Sequence, residues 1–364
     1  QSSDYLIKQL DKDNKKPIML FIFLRGGHDG LSLLSPYSDP VYFEKRPHIA
    51  LPKDKGLVIS NEFSINPLLK DSFYNCFNNK QAIFIPSSGQ HHNSRSHFLS
   101  EDFISYGVNQ ANNESGFLNR LVEVTQLNGI SFTSSIRPIF KGKQSIPCFS
   151  LDEINFSTSS QEDIIISNDY KNDALLSQAL NNLNINRNAL MDIKNSNQQD
   201  YNQVSQFQRF AKFMKLSNSN IGFIELDEWD THISNHPLDS DFSDLLEKLN
   251  SSLVAYQNSC TPDDWKRTFI VLFSEFGRTV KENAGLGTEH GHGNLLTILG
   301  GGLNQGKILG DWTSLNKLHE DRDLFVHNEF NNVLAKLFKQ TYGLNNKELN
   351  YIFPNSLPEK LDLI

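Results

Sequence analysis

Five short apolar runs punctuate the chain: IMLFIFL at 18–24, AIFIP at 82–86, IGFIELD at 221–227, TFIVLFS at 268–274 and LLTILGG at 295–301. None alternates polar with apolar residues. A strand solvated on one face would alternate, so these runs predict strands buried on both faces of a mainly parallel sheet. Between the runs the period lengthens. Phe242, Leu245, Leu246, Leu249, Leu253 and Tyr256 recur at spacings of three and four between Asp241 and Gln257, as do Val333, Leu334, Leu337 and Phe338 between Asn331 and Tyr342. Such stripes predict helices with one face on the sheet. A further helix is expected after SRSHF, with Phe98, Phe103 and Ile104 inward. Strands alternating with helices give a three-layer α/β/α fold around a central, mostly parallel sheet.

Residues 157–220 depart from this rhythm. They are polar and rich in Asn, Gln and Ser, with weaker helical periodicity through 174–190 and 204–216. Leu175, Leu176, Leu180, Leu183, Phe207, Phe210 and Phe213 still supply an apolar face, so the segment is predicted to be a helical insertion or cap. The expected organisation is one domain over 17–364 carrying this elaboration, preceded by a disordered or extended polar stretch at 1–16. No internal repeat is visible.

Composition narrows the partners. With 34 basic against 42 acidic residues the net charge is −8, and no Lys/Arg cluster is interleaved with aromatics, which disfavours nucleic acid and anionic membrane surfaces. The longest apolar run has strand length, far short of the roughly 20 residues that span a bilayer, so no transmembrane segment is expected. Cys76, Cys148 and Cys260 match no zinc spacing and allow at most one disulfide. The sequence begins at Gln1 with no signal-like stretch, which fits a mature form whose export signal has been removed.

Residues suited to chemistry gather beside the ends of the apolar runs. IMLFIFL leads into RGGHDG with Asp29, and AIFIP into SSGQHHNSRSHF with Ser94, Arg95 and Ser96. IGFIELD leads into EWDTHISNH with Asp230, His232 and His236, TFIVLFS into EFGRT with Glu275 and Arg278, and GTEHGHGN with His290 and His292 precedes LLTILGG. In open parallel sheets ligands bind outside the carboxyl ends of the strands, where loops from separate strands converge. Asp29, Asp230 and Glu275 offer oxygens and His232, His236, His290 and His292 offer imidazoles, a donor set for one or two divalent cations, zinc first, with calcium, manganese or iron open. His28, His91, His92 and His97 complete the inventory. GTEHGHGN has no apolar anchor, so packing alone does not account for it. Ser96 is expected near a helix N-terminus, where an anion is favoured and a metal-assisted serine could attack a phosphoryl or sulfuryl centre, with Arg95 or Arg278 on its oxygens. An ordinary N-cap role for Ser96 explains its position equally well.

The segments FLRGGHDGLSLLSPYSDPVYFEKRP, NSRSHF, WDTH, SEFGRTVKENAGLGTEHGHGN and GGGLNQGKILGDW resemble the bacterial family known as domain of unknown function 1501, a branch of the alkaline phosphatase and sulfatase superfamily. The resemblance covers about Pro17 to Tyr342. It implies two metals at the carboxyl edge of the sheet and a Ser or Thr nucleophile, with export to the periplasm or beyond. On that basis Asp29 takes the place of the first-strand metal aspartate and Ser96 (or Ser94) that of the nucleophile. Asp230, with His232 or His236 and with His290 or His292, forms one metal site, and Glu275 stands in the second. Phe276 departs from the pattern, since active phosphatases carry a histidine there and phenylalanine cannot coordinate a cation. No sulfatase maturation motif of the form C/S-x-P-x-R is present. The sequence therefore points to an exported metal-dependent hydrolase of a phosphate or sulfate ester, the substrate being a small molecule or a glycan. A non-catalytic envelope or surface protein that binds a glycan or protein partner through a degenerate site is the competing expectation, and a purely structural ion is a third.

Overall fold

Parity along the first strand explains its unalternating sequence. In the computed structural model, which describes residues 15–108, 114–150 and 202–364 together with Asn188, strand β1 (Ile18–Leu24) is buried at all seven positions. Ile18, Leu20, Ile22 and Leu24 join one apolar cluster and Met19, Phe21 and Phe23 another, on the opposite face. Burying an aliphatic or phenylalanine side chain contributes about 1.5–3 kcal/mol. A strand that does so on both faces can sit only at the centre of a layered fold.

The main sheet also contains β2 (Gln81–Gly89), β3 (Gly129–Ser131), β4 (Ile221–Leu226), β5 (Thr268–Phe273), β6 (Asn294–Leu299), β7 (Gln305–Ile308) and β8 (Asn328–Glu329). Its order is β7-β2-β6-β5-β1-β4-β3, with β8 also pairing β2. β1 lies parallel to both β4 and β5, in register Met19 with Ile221 and Ile22 with Leu272. β6 alone runs antiparallel to its neighbours, β2 and β5. This reversal has a consequence for the site: the loop that precedes β6 emerges at the edge where the parallel strands end.

Helices cover both faces. The longer ones are α1 (His97–Tyr106), α2 (Phe117–Thr125), α3 (Gln203–Leu216), α4 (Asp241–Ser259), α5 (Phe330–Tyr342) and α6 (Asn346–Ile352). Phe207, Phe210 and Phe213 of α3 and Leu246, Leu249 and Leu253 of α4 fill one apolar cluster, while Leu121 of α2, Leu334 and Phe338 of α5 and Leu349 of α6 fill the other. α4 starts at a capping box, in which the Ser240 side chain accepts from the Ser243 N–H and the Ser243 hydroxyl accepts from the Ser240 N–H. The mostly parallel three-layer architecture expected from the sequence is thus the one observed. Within the segment read as an insertion or cap, α3 lies in the helical layer against the sheet; the stripe at 174–190, Asn188 apart, falls outside the described residues, as do residues 1–14.

One helix face was misplaced. α1 buries Ser100 and Ile104, whereas Phe98 is 76% exposed. The helix begins at His97, so the inward stripe runs through Ser100 and Ile104 four residues apart, and Phe98 points away from it. The three cysteines are free thiols, and no helix among the described residues is long and apolar enough to cross a membrane.

Candidate metal centre at the carboxyl edge of the sheet

The turn after β1 sets the frame. Gly26 and Gly27 adopt φ of 120° and 75°, values that side chains resist. A Cβ on Gly26 would lie 2.2 Å from the Asp230 backbone nitrogen, and one on Gly27 would lie 2.7 Å from the Phe276 ring. Their N–H groups converge as a small anion-binding concavity. The anion that fills it is the buried carboxylate of Glu275, which accepts from Gly26 at 2.8 and 3.2 Å and from Gly27 at 3.2 Å.

Glu275 also accepts a 2.6 Å hydrogen bond from His97 Nδ1. That bond is the main reason the His97 imidazole titrates above its ordinary range, with the charges of Glu275 and Asp230 adding to it against the cost of burial. The opposite nitrogen, Nε2, lies 3.1 Å from Asp230 Oδ2. It is buried and does not meet hydrogen-bond geometry with any partner.

Asp230 follows β4 and collects three further nitrogens on its other oxygen. Arg278 Nη2 donates to Oδ1 at 2.6 Å, His290 Nε2 is 3.0 Å away and His232 Nε2 is 2.9 Å away. Burial pushes the Asp230 carboxyl up, but the hydrogen bonds from Arg278 and His290 outweigh it and hold the group well below the usual carboxylate range. The Nδ1 atoms again face oxygens: His290 Nδ1 donates to the Arg95 carbonyl at 3.0 Å, and His232 Nδ1 is 3.2 Å from Glu289 Oε2. Desolvation lowers the pKa of His290. Phe276 packs its ring against His97 and His290, with centroids 4.8 and 4.7 Å away, and forms an apolar wall.

Five residues named from the sequence have other surroundings. Asp29 is buried with Arg46, whose Nη1 and Nη2 donate to its two oxygens at 2.6 and 3.0 Å, and Ser32 adds a third bond at 2.6 Å. Arg278 gives its remaining donors to backbone carbonyls of Gly26, Gly27, Trp229, Thr231 and Thr288. Arg95 is bound to Asp323 at 2.6 and 2.9 Å and to Glu320 at 2.6 Å. Arg278 thus has every guanidinium nitrogen engaged by the protein, while Arg95 commits Nε and Nη2 to these carboxylates. His236 is exposed, with its Nδ1 accepting from the Leu238 N–H at 3.4 Å. His292 is 8% exposed, stacks near His319 at 4.8 Å, and is driven by burial to a pKa of about 4. Glu275 reaches the cluster, but its carboxylate serves the glycine turn and His97.

Ser96 occupies the N-cap of α1 without making a side-chain capping bond. Its N–H donates to Ser94 Oγ at 3.1 Å. Ser100 N–H reaches the Ser96 carbonyl at 2.9 Å, so the N–H groups of His97, Phe98 and Leu99 have no partner within the helix. A cleft of about 300 Å³ lies at the opposite, amino edge beside Lys16, Pro17 and Tyr342 and contains none of these groups. Concavity therefore does not mark the site; donor convergence does. Sequence reasoning placed His97 with His28, His91 and His92, behind His232, His236, His290 and His292, and missed Arg46 and Glu289. The available signal for His97 was its place at the first helical position, directly after the candidate serine.

The chain belongs to the family described as Protein of unknown function (DUF1501), which matches residues 16–353. No curated protein matches it in sequence. Among solved structures it is similar to the PsFucS1 sulfatase from Pseudoalteromonas sp., with 10% identity over 84% of this chain and 66% of that one and a TM-score of 0.38. A protein in the alkaline phosphatase superfamily from Vibrio parahaemolyticus shows 10% identity over 80% of this chain and 62% of its own, with a TM-score of 0.35. The lipoteichoic acid synthase LtaP from Listeria monocytogenes shows 8% identity over 82% and 67%, with a TM-score of 0.33. The chain thus spans less than two thirds of the first two structures.

Proposed function

We propose that the protein is an exported metal-dependent hydrolase acting on a phosphate or sulfate ester of a small molecule or glycan. The observation that carries this reading is the convergence of Asp230, His97, His232 and His290 at the carboxyl edge, immediately beside the N-terminus of α1. The donors of Asp230, His97 and His290 fit a divalent cation: one carboxylate and two imidazoles with ligand atoms within 4.8 Å of one another, including a buried Nε2 on His97 that no protein group satisfies. An ion held there would supply the positive charge that an anionic ester needs and would polarise its central atom.

The chain's own groups supply the rest. Ser96, freed from capping, is the candidate nucleophile, and the unpaired N–H groups of the first turn of α1 favour an anion beside it. Arg278 positions Asp230 and the glycine turn, and Arg95 places its carbonyl against His290. Both act on the frame. Purified protein should hydrolyse nitrophenyl phosphate or nitrophenyl sulfate, and activity should vanish with a chelator and in Ser96→Ala. Metal-free protein of undiminished activity would refute the reading.

One observation favours the competing view of a non-catalytic envelope protein. Asp29 and Glu275, two carboxylates the family resemblance assigns to metals, are neutralised inside the fold. Neither bound metal nor turnover on a broad panel of phosphate and sulfate esters would favour that view, while stoichiometric metal without turnover would mark the ion as structural.

A further inference from the structure

The family resemblance implies two ions, whereas the donors assembled here serve one. We infer a mononuclear site whose ligands are the Nε2 atoms of His97 and His290 and the carboxylate of Asp230, three groups whose ligand atoms all lie within 4.8 Å of one another, with Glu275 and the Arg95 carbonyl holding the two rings in place and His232 beside Asp230 but outside the set. This deepens the metal-dependent reading of the same site by fixing the number of ions and the ligand set.

Lone-pair counting makes the first argument. Asp230 Oδ1 has Arg278 Nη2, His232 Nε2 and His290 Nε2 within 3.0 Å, and an oxygen with two lone pairs cannot accept well-directed bonds from three donors. The His232 nitrogen is close without forming a hydrogen bond, as is His97 Nε2 at Oδ2. Nitrogens crowded round a carboxylate in this manner are what a shared cation would draw together.

The second argument is tautomeric. The Arg95 carbonyl can only accept, so His290 Nδ1 carries a proton. His97 Nδ1 faces the Glu275 carboxylate at 2.6 Å and His232 Nδ1 faces Glu289 at 3.2 Å, which favours the same state in both. A cation would then take the place of the proton through which His290 Nε2 bonds Asp230 Oδ1, and would meet His97 at the Nε2 that makes no hydrogen bond. A ligating imidazole anchored through its other nitrogen to an oxygen is the usual arrangement around protein-bound metals.

Distance and chemistry agree. With metal–ligand bonds of about 2.0–2.1 Å, donors at tetrahedral corners are about 3.3–3.4 Å apart. His97 Nε2 and His290 Nε2 stand 3.1 and 3.0 Å from the Asp230 oxygens, close to that edge. Two imidazoles and one carboxylate suit zinc and its transition-metal neighbours better than calcium or magnesium. A second group of donors, His97, Glu101 and Glu275, shares His97 with the first, and its carboxylates are engaged by the protein: Arg25 donates to both Glu101 oxygens at 2.8 and 3.3 Å. Arg46 occupies Asp29, the glycine turn and His97 occupy Glu275, and the Phe276 ring stands against the imidazoles.

The test is zinc content and affinity, measured on full-length protein stripped by chelator, reloaded and dialysed. Wild type and His236→Ala should hold one zinc per chain. His97→Ala and His290→Ala should bind at least about 100-fold more weakly, and Glu275→Gln, which alters the partner of His97 Nδ1, about 10–100-fold more weakly. Two tightly held zinc ions per chain, or wild-type affinity in His97→Ala, would overturn the inference. If the histidine variants fail to fold, cobalt-loaded wild type decides: an intense four-coordinate visible spectrum supports the site, and a pale six-coordinate one rejects it. One zinc with no ester turnover removes the hydrolase reading and leaves this inference. Metal-dependent turnover unaffected by His97→Ala does the reverse.

Discussion

Replacing Arg46 with methionine separates the two roles open to Asp29. The pair is fully enclosed, with Arg46 0% and Asp29 1% exposed, and the guanidinium also donates to the carbonyls of Thr279 and Val280 at 2.8 Å. Methionine fills much of the volume but strands a buried carboxylate whose remaining side-chain donor is Ser32, at 2.6 Å. Breaking a buried pair from one side costs about 3–5 kcal/mol. At about 2.1 cal/mol/K of unfolding entropy per residue, that lowers Tm by about 4–7 °C for 364 residues. Asp29→Asn should cost a similar amount, while Asp29→Leu with Arg46→Met together should recover most of it. Calorimetry reads the stability, and zinc content read in parallel should stay at the wild-type level in all three variants. The pH dependence gives a second check. Burial pushes the Asp29 carboxyl up, yet the charge of Arg46 overrides it and holds the carboxyl below its ordinary range. A depressed folded pKa means the contribution is present above the unfolded value of about 3.8 and lost as pH falls through the folded one, so the double variant should lose this part of its acid sensitivity. Loss of zinc in Asp29→Asn with little change in Tm would refute the reasoning and restore Asp29 as a ligand.

Ser96→Ala should abolish ester turnover yet change stability by less than about 0.5 kcal/mol, because the hydroxyl makes no capping bond; a loss near the usual 1 kcal/mol of an N-cap, seen in denaturant titration, would mark Ser96 as structural. Gly27→Ala should destabilise by about 1–3 kcal/mol and weaken zinc binding, since φ is 75° and the new Cβ would meet the Phe276 ring; a variant as stable as wild type would count against the rigid turn. His28, fully buried, is driven by burial to a pKa of about 4 from 6.5. Its folded value is depressed, so its contribution is complete above about pH 6.5 and is lost as pH falls toward 4. Unfolding free energies of metal-free protein across that window should fall by up to about 1.4 kcal/mol per pH unit from this group, and His28→Asn should flatten the slope; an unchanged slope would contradict its burial as a neutral ring.

The layers were legible because burial on both faces writes itself directly into composition: β1, β4 and β5 follow the apolar runs to within a residue. The direction of β6 was not legible, since a strand's sequence carries no mark of which way its neighbours run. That direction is what brings His290 to the edge where Asp230 and α1 stand; a parallel β6 would have put GTEHGHGN at the other end of the sheet. Residue type also identified the carboxylates and imidazoles without separating ligands from supports. Asp29 and Glu275 are chemically as fit for a cation as Asp230, and what distinguishes them is what reaches each first: a guanidinium seventeen residues away in sequence for Asp29, two backbone N–H groups and an imidazole for Glu275.

The same competition explains why Phe276 need not disable the centre. A ligand lost at that position would empty a site built around Asp29 and Glu275, but both carboxylates are already satisfied without a metal. The phenyl ring instead lies against His97 and His290, where it excludes water from the imidazole edges and restricts their rotation. A histidine there would add a fifth polar group to a region already short of acceptors. Phe276→His should therefore not create a second zinc site; it should loosen the first, and a rise to two bound zinc ions in that variant would show instead that one missing imidazole was all that separated this chain from a two-ion centre.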